Sequence, residues 1–130
     1  MAIRNFEEII AWQKAEELSL LIYALFKSSR DYRFKDQIQS AAVSVMNNIA
    51  EGFERQSNKE FLRFLYIAKG SSGEVRSMSH LAVKLKYISE DDYKQIILLS
   101  RDISKMLYGL IQKLQKSYSS PCTLPLVPIL

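Results

Sequence analysis

Few residues in this sequence could do chemistry, and each comes up short of a complete set. The one histidine, His80, lies near Ser77, Ser79 and Lys84. A Ser-His pair needs a third orienting group and an oxyanion site, and neither is visible. Glu51 and Glu74 could meet across a helical bundle as paired carboxylates. A di-metal bundle, however, expects Glu-x-x-His on each of two helices, and the sequence contains none. We expect no catalytic residues, no bound metal and no cofactor. Basic residues are the better candidates. Arg55, Lys59, Arg63, Lys69 and Arg76 recur along one segment with Tyr66 among them. Cations at helical spacing can contact phosphates, and an aromatic ring can stack on a base. Lys84, Lys105, Lys113 and Lys116 add positive charge further on. The same lysines would also serve simply to keep a helical surface solvated.

Charge is unevenly divided along the chain. Residues 1–54 hold six Lys/Arg and eight Asp/Glu, a balance of −2, and residues 55–130 hold twelve and six, a balance of +6. The basic half can attract polyanions. A single cysteine, Cys122, excludes an internal disulfide. The first residues, MAIRNFEEII, lack a signal-peptide pattern. The longest apolar run, Leu20–Phe26, is too short to span a bilayer. These features fit a cytoplasmic protein with no membrane partner.

No proline occurs before Pro121, which favours an all-α domain. Four helices are expected. The first starts at Asn5, with Glu8 in capping-box register, and runs to about Ser28. The second runs from near Asp31 to about Glu54, with Ile38, Ala41, Ala42, Val45, Ile49 and Phe53 on one face. The third opens on the capping box SNKE, residues 57–60, and reaches Lys86. The fourth opens on Ser89, followed by three acids that suit a helix start. Its stripe includes Ile96, Ser100, Ser104, Leu107 and Ile111. Short connections make an up-and-down antiparallel four-helix bundle over residues 1–118, with an irregular proline-containing tail over 119–130.

Two features point beyond a single bundle. On a helical wheel, Leu20–Phe26 places apolar side chains on every side, more than one bundle covers. In the third helix, Tyr66, Gly70, Gly73 and Ser77 form a row that is small below the tyrosine. Such a row admits a close neighbour, from this subunit or from a second copy. A homo-oligomer follows from the two together.

The stretch NNIAEGFERQSNKEF, residues 47–61, puts Asn and Gly inside a helix. Gln37, Ser44, Asn48, Glu51 and Arg55 share a narrow strip beside the apolar face. Polar groups there need partners, so the strip reads as a hydrogen-bonded seam against another helix or subunit. Binding is the sharper alternative. Glu51 and Arg55 also stand in the acid-first i,i+4 order, worth roughly 0.3 kcal/mol when exposed. Gly52 permits a close helix contact or loosens the helix before the turn.

These residues carry a resemblance. FEEIIAWQKAEEL, then DQIQSAAVSVMNNIAEGFERQSNKEFLRFLYIAKGSSGEV, then MLYGLIQKL resembles the four-helix-bundle family of 23S ribosomal RNA intervening-sequence proteins, from about Phe6 to Leu114. The most specific parts are Trp12, Asn48–Gly52, Arg55 and Ala68–Glu74. The resemblance implies a cytoplasmic bundle assembled as a ring, a pentamer, with no catalytic activity attached. A related member is the accessory protein of diversity-generating retroelements, whose barrel binds RNA and a reverse transcriptase. Some members are encoded inside inserts in ribosomal RNA genes. Two departures stand out: no proline in KSSRDY between the first two helices, and Met46 where proline is common before the asparagines. The expectation is a non-catalytic oligomer that binds structured RNA or an RNA-containing complex. The alternative is a scaffold or accessory subunit for a partner enzyme.

Overall fold

Helix boundaries follow from where backbone amides find side-chain acceptors. A computed structural model describes residues 3–118, so the tail expected over 119–130, with Cys122, lies outside the described residues. Four α-helices form: α1 Ile10–Phe26, α2 Tyr32–Glu54, α3 Asn58–Lys84 and α4 Glu90–Tyr118. Among the described residues there is no strand. Three N-caps are those expected. Asp31 Oδ1 accepts from the Phe34 amide at 3.1 Å, Ser57 Oγ from Glu60 at 3.3 Å and Ser89 Oγ from Asp92 at 3.1 Å. Each satisfies an amide that has no partner within its own helix.

The start of the first helix differs from the expectation. Phe6–Glu8 forms a separate short 3-10 helix, Ile9 is extended at φ −76°, ψ 119°, and α1 begins only at Ile10. Asn5 makes no capping bond to the backbone; its amide donates to Glu8 at 3.4 Å. The break lets Ile9 turn into the core at 3% exposure, while Phe6 packs edge-on against Trp12 at 5.2 Å. Tertiary burial thus overrides a local capping pattern. Gln13 Nε2 donates to the Glu7 carbonyl at 2.8 Å and helps tie the extra turn to α1.

Helix α3 ends at Lys84 with Leu85 as its cap, and Lys86 follows in the left-handed region at φ 63°. The Tyr87 amide returns to the Ala82 carbonyl and the Lys86 amide to that of Val83, a Schellman closure. The turn also aims Tyr87 at the connection between α1 and α2. Its hydroxyl donates to Asp31 Oδ2 at 2.7 Å, and its ring meets Phe34 edge-on at 5.4 Å. One hydrogen bond therefore joins the two loops at that end of the bundle.

Each helix packs against its two neighbours around a square, α1 with α2 and α4, α3 with α2 and α4, and the diagonal pairs stay apart. Leu18, Ile22 and Phe26 of α1, Ile38, Val45 and Ile49 of α2, Leu62 and Leu65 of α3, and Ile96, Ile103, Leu107 and Ile111 of α4 are fully buried. Serines interrupt this core between α3 and α4. Ser72 donates to the Ser100 carbonyl at 3.0 Å, and Ser104 donates to Ser72 Oγ at 3.2 Å. No buried side-chain nitrogen or oxygen among the described residues lacks a partner.

The run Leu20–Phe26 divides as its wheel requires. Ile22 and Phe26 are buried, whereas Leu20 is 68% and Tyr23 48% exposed on the outward side of α1. On α3, at the opposite corner of the square, Gly70 is exposed and Ile67 and Leu81 are also left in the open.

Candidate nucleic-acid interface

The strip on α2 is a seam against α3, though its residues contribute unequally. Gln37 Nε2 donates to Glu74 Oε2 at 3.3 Å, and the Ser44 and Ser71 hydroxyls bond at 2.9 Å. Those bonds cross between helices. The Asn48 amide donates within α2, to the Ser44 carbonyl at 2.7 Å and to Ser44 Oγ at 2.9 Å. Its role is to orient the serine that makes the crossing. Glu51 likewise bonds within α2, to Arg55 at 3.0 Å. Gly52 supplies a close helix contact: a Cβ there would lie 2.6 Å from Phe64 Cβ.

The five cations singled out from the sequence separate into two groups. Arg55, Lys59 and Arg63 gather at the α2–α3 turn. Arg55 pairs with Glu51 at 3.0 Å and Glu60 at 3.6 Å, and Arg63 pairs with Glu60 at 3.2 Å. Both guanidinium groups lie over the Phe64 ring, at 5.1 and 5.0 Å from its centroid. Glu60 therefore faces arginines, and of the expected reciprocal capping box only the Ser57 half forms. Two arginines and two carboxylates make this cluster locally neutral, with exposed Lys59 beside it. Lys69 and Arg76 lie further along α3, half-buried on its edge toward α4. Arg76 Nη1 donates to Ser104 Oγ of α4 at 2.9 Å. Tyr66 is anchored there too, its hydroxyl accepting from Gln115 at 3.2 Å.

Gly70 and Gly73 are not explained by packing within the chain. A Cβ on Gly70 would meet nothing within 4 Å, and one on Gly73 only the Arg76 guanidinium at 3.8 Å.

The groups considered for catalysis have other partners. His80 Nδ1 and the Tyr93 hydroxyl bond at 2.8 Å, joining α3 to α4, with the rings edge-on at 5.3 Å. Glu51 holds Arg55 and Glu74 holds Gln37. No three His, Cys, Asp or Glu among the described residues gather closely enough to hold a metal ion. No described helix is long and apolar enough to cross a membrane. The ionisation of Asp31 and Tyr87 reflects their mutual bond. The phenol, then the Phe34 amide, hold the Asp31 carboxyl below its usual range, and the carboxylate raises the Tyr87 hydroxyl.

Sequence reasoning gave less weight to the outward face of α4, which carries Lys94, Arg101, Lys105 and Lys116, all exposed. Their helical spacing was the available signal.

No curated protein sequence matches the chain. A solved structure from Bacteroides thetaiotaomicron, described as a protein of unknown function from the S23 ribosomal protein family, is similar to it. The two share 26% identity with a TM-score of 0.74, over 79% of this chain and 96% of that one. The family model for 23S rRNA-intervening sequence proteins matches residues 7–109. With the four-helix bundle in place and the match spanning most of its length, the chain belongs to the 23S rRNA-intervening sequence protein family.

Proposed function

We propose that this protein is a non-catalytic, cytoplasmic subunit of a homo-oligomeric ring that binds structured RNA, or an RNA-bearing complex, through its basic second half. One observation supports the RNA reading above the others. Among the described residues, Lys59, Lys69, Arg76 and the outward cations of α4 have no carboxylate within 4.0 Å. Unopposed cations give a surface potential that attracts polyanions. The family's name, which refers to 23S rRNA, supports the same direction. Exposed Leu20 and Tyr23 on α1, with the open row at Gly70 on α3, support assembly with further copies, and five is the number that the family resemblance implies. A ring would multiply weak phosphate contacts by avidity.

The test is retention of RNA by the purified full-length protein at low and moderate salt. Retention at low salt that falls steeply as salt rises supports the proposal. Absence of retention at low salt favours the other reading, a scaffold for a partner protein. That reading has its own support in Leu81 and Leu85, 50% and 46% exposed near the end of α3.

A further inference from the structure

Helix α4 turns a line of cations away from the core. Lys94, Arg101, Lys105 and Lys116 follow one another at intervals of seven, four and eleven residues, which keeps them on one side of the helix. Leu98 and Tyr108 lie on the same line, 65% and 53% exposed. Gln112 Nε2 donates to the Tyr108 hydroxyl at 2.8 Å, which holds the phenol along the helix surface. The α3 edge continues this surface, because Arg76 bonds to Ser104, one residue before Lys105. Lys69 lies two turns before Arg76 on the same edge of α3.

Glu90 stands four residues before Lys94, but from Lys94 to Lys116 the line itself carries no acid. Glu60 faces Arg55 and Arg63, Glu74 faces Gln37 of α2, and Glu90, Asp91 and Asp92 occupy the first turn of α4. Asp102, three residues before Lys105, is half-buried and forms no ion pair with Lys105 or Arg101. A face that only solvates a helix ordinarily mixes both signs, with acids four residues from bases. Here Arg101 and Lys105 form a like-charged i,i+4 pair, which disfavours the helix until an anion lies across it. Their positions are about 6 Å apart along the axis, and the line from Lys94 to Lys116 extends about 33 Å.

We propose that Lys69 and Arg76 of α3, with Arg101, Lys105 and Tyr108 of α4, form a track for the unpaired segments of a structured RNA, its phosphates on the cations and a base on the Tyr108 ring. The proposal rests on the RNA-binding reading above and assigns it a surface. An exposed ring beside a row of cations is the combination that favours single strands, since every base offers a face for stacking. Without a pocket to read base edges, the track binds with little sequence preference.

Fluorescence anisotropy of the full-length protein tests it, with a short unstructured oligouridylate, a blunt RNA duplex and polyglutamate as probes. R101E/K105E should weaken oligouridylate binding by about tenfold or more at low salt and flatten the logarithmic salt dependence by about 1.4. R101Q/K105Q, which removes charge without reversing it, should weaken binding in the same direction. Y108A should weaken oligouridylate binding by about tenfold and leave duplex binding unchanged. K59E/R63E should weaken oligouridylate binding less than R101E/K105E does. Circular dichroism and light scattering establish that each variant keeps its fold and assembly. Loss of binding in K59E/R63E with R101E/K105E unaffected would overturn the track and leave the RNA reading standing. A wild-type protein that binds no RNA at low salt removes both. Polyglutamate bound more tightly than RNA would make the occupant an acidic protein and overturn the proposal.

Discussion

Gly52 and Phe64 meet at a point where a methyl group has no room. A Cβ on Gly52 would stand 2.6 Å from Phe64 Cβ and 3.1 Å from Phe61 Cδ1, so α2 and α3 approach through the missing side chain. Gly52→Ala gains about 1 kcal/mol of helix propensity. It also forces apart two packed aromatic residues, at a cost of about 1–3 kcal/mol. We expect a net loss, read as a lower urea midpoint. Gly109→Ala in α4, with open space around it, should raise the midpoint instead. Two shifts of the same sign would contradict the packing argument.

Assembly should depend on the outward side of α1. Leu20→Glu leaves the buried stripe Leu18, Ile22, Phe26 untouched and places a charge where a second copy is expected to pack. By light scattering, the wild type should exceed the 15.0 kDa of one chain, and the variant should approach it. A wild type already at one chain's mass at micromolar concentration ends the idea.

The bond between Asp31 and Tyr87 gives stability a definite pH dependence. The folded carboxyl is held below its ordinary range, first by the phenol and then by the Phe34 amide. Its contribution is present above the unfolded pKa and lost as pH falls through the lowered one. The Tyr87 hydroxyl is raised, so its contribution is complete below about pH 10 and lost as pH rises past its folded value. Tyr87→Phe should therefore lower the melting temperature by a constant amount through neutral pH, and the difference should shrink at both extremes. A difference undiminished in strong acid would show that the hydroxyl acts in some other way.

Asn48 and Ser44 should rank in the reverse of the order their side-chain sizes suggest. Asn48→Ala removes two bonds inside α2 but gains helix propensity, for a cost of about 1 kcal/mol or less. Ser44→Ala removes the crossing to Ser71 and an acceptor of Asn48 together, and should cost more. Thermal denaturation of both variants checks the order, and a larger loss for Asn48→Ala would place the crossing role on the asparagine.

Three of the four helix starts were legible because each cap is a local event: Asp31, Ser57 and Ser89 bond to amides three residues on. Asn5 with Glu8 looks the same in sequence, but burial of Ile9 decides the backbone there, and burial depends on distant helices. The polar strip on α2 was legible as a group needing partners, whereas the choice of Ser71 and Glu74 is set by the register of α2 on α3. Charge could be counted from the sequence, but its pairing could not. Arg55 reaches Glu60 only because the α2–α3 turn folds one helix end onto the next start. Buried Ser100 follows the apolar period of α4, so spacing placed it, while Ser72 and the bond that joins the two needed the neighbouring helix.

The square arrangement of the helices sets an order of events for a chain under synthesis. The α1–α2, α2–α3 and α3–α4 contacts join sequence neighbours, so each hairpin can close as soon as its second helix emerges. The α1–α4 contact is different, because it joins the first helix made to the last. Until then α1 presents an uncovered flank to the surroundings in addition to Leu20 and Tyr23. Completion of the bundle is thus a late loop closure on a helix that has waited through the synthesis of the other three, and that interval is when the chain is most exposed to aggregation.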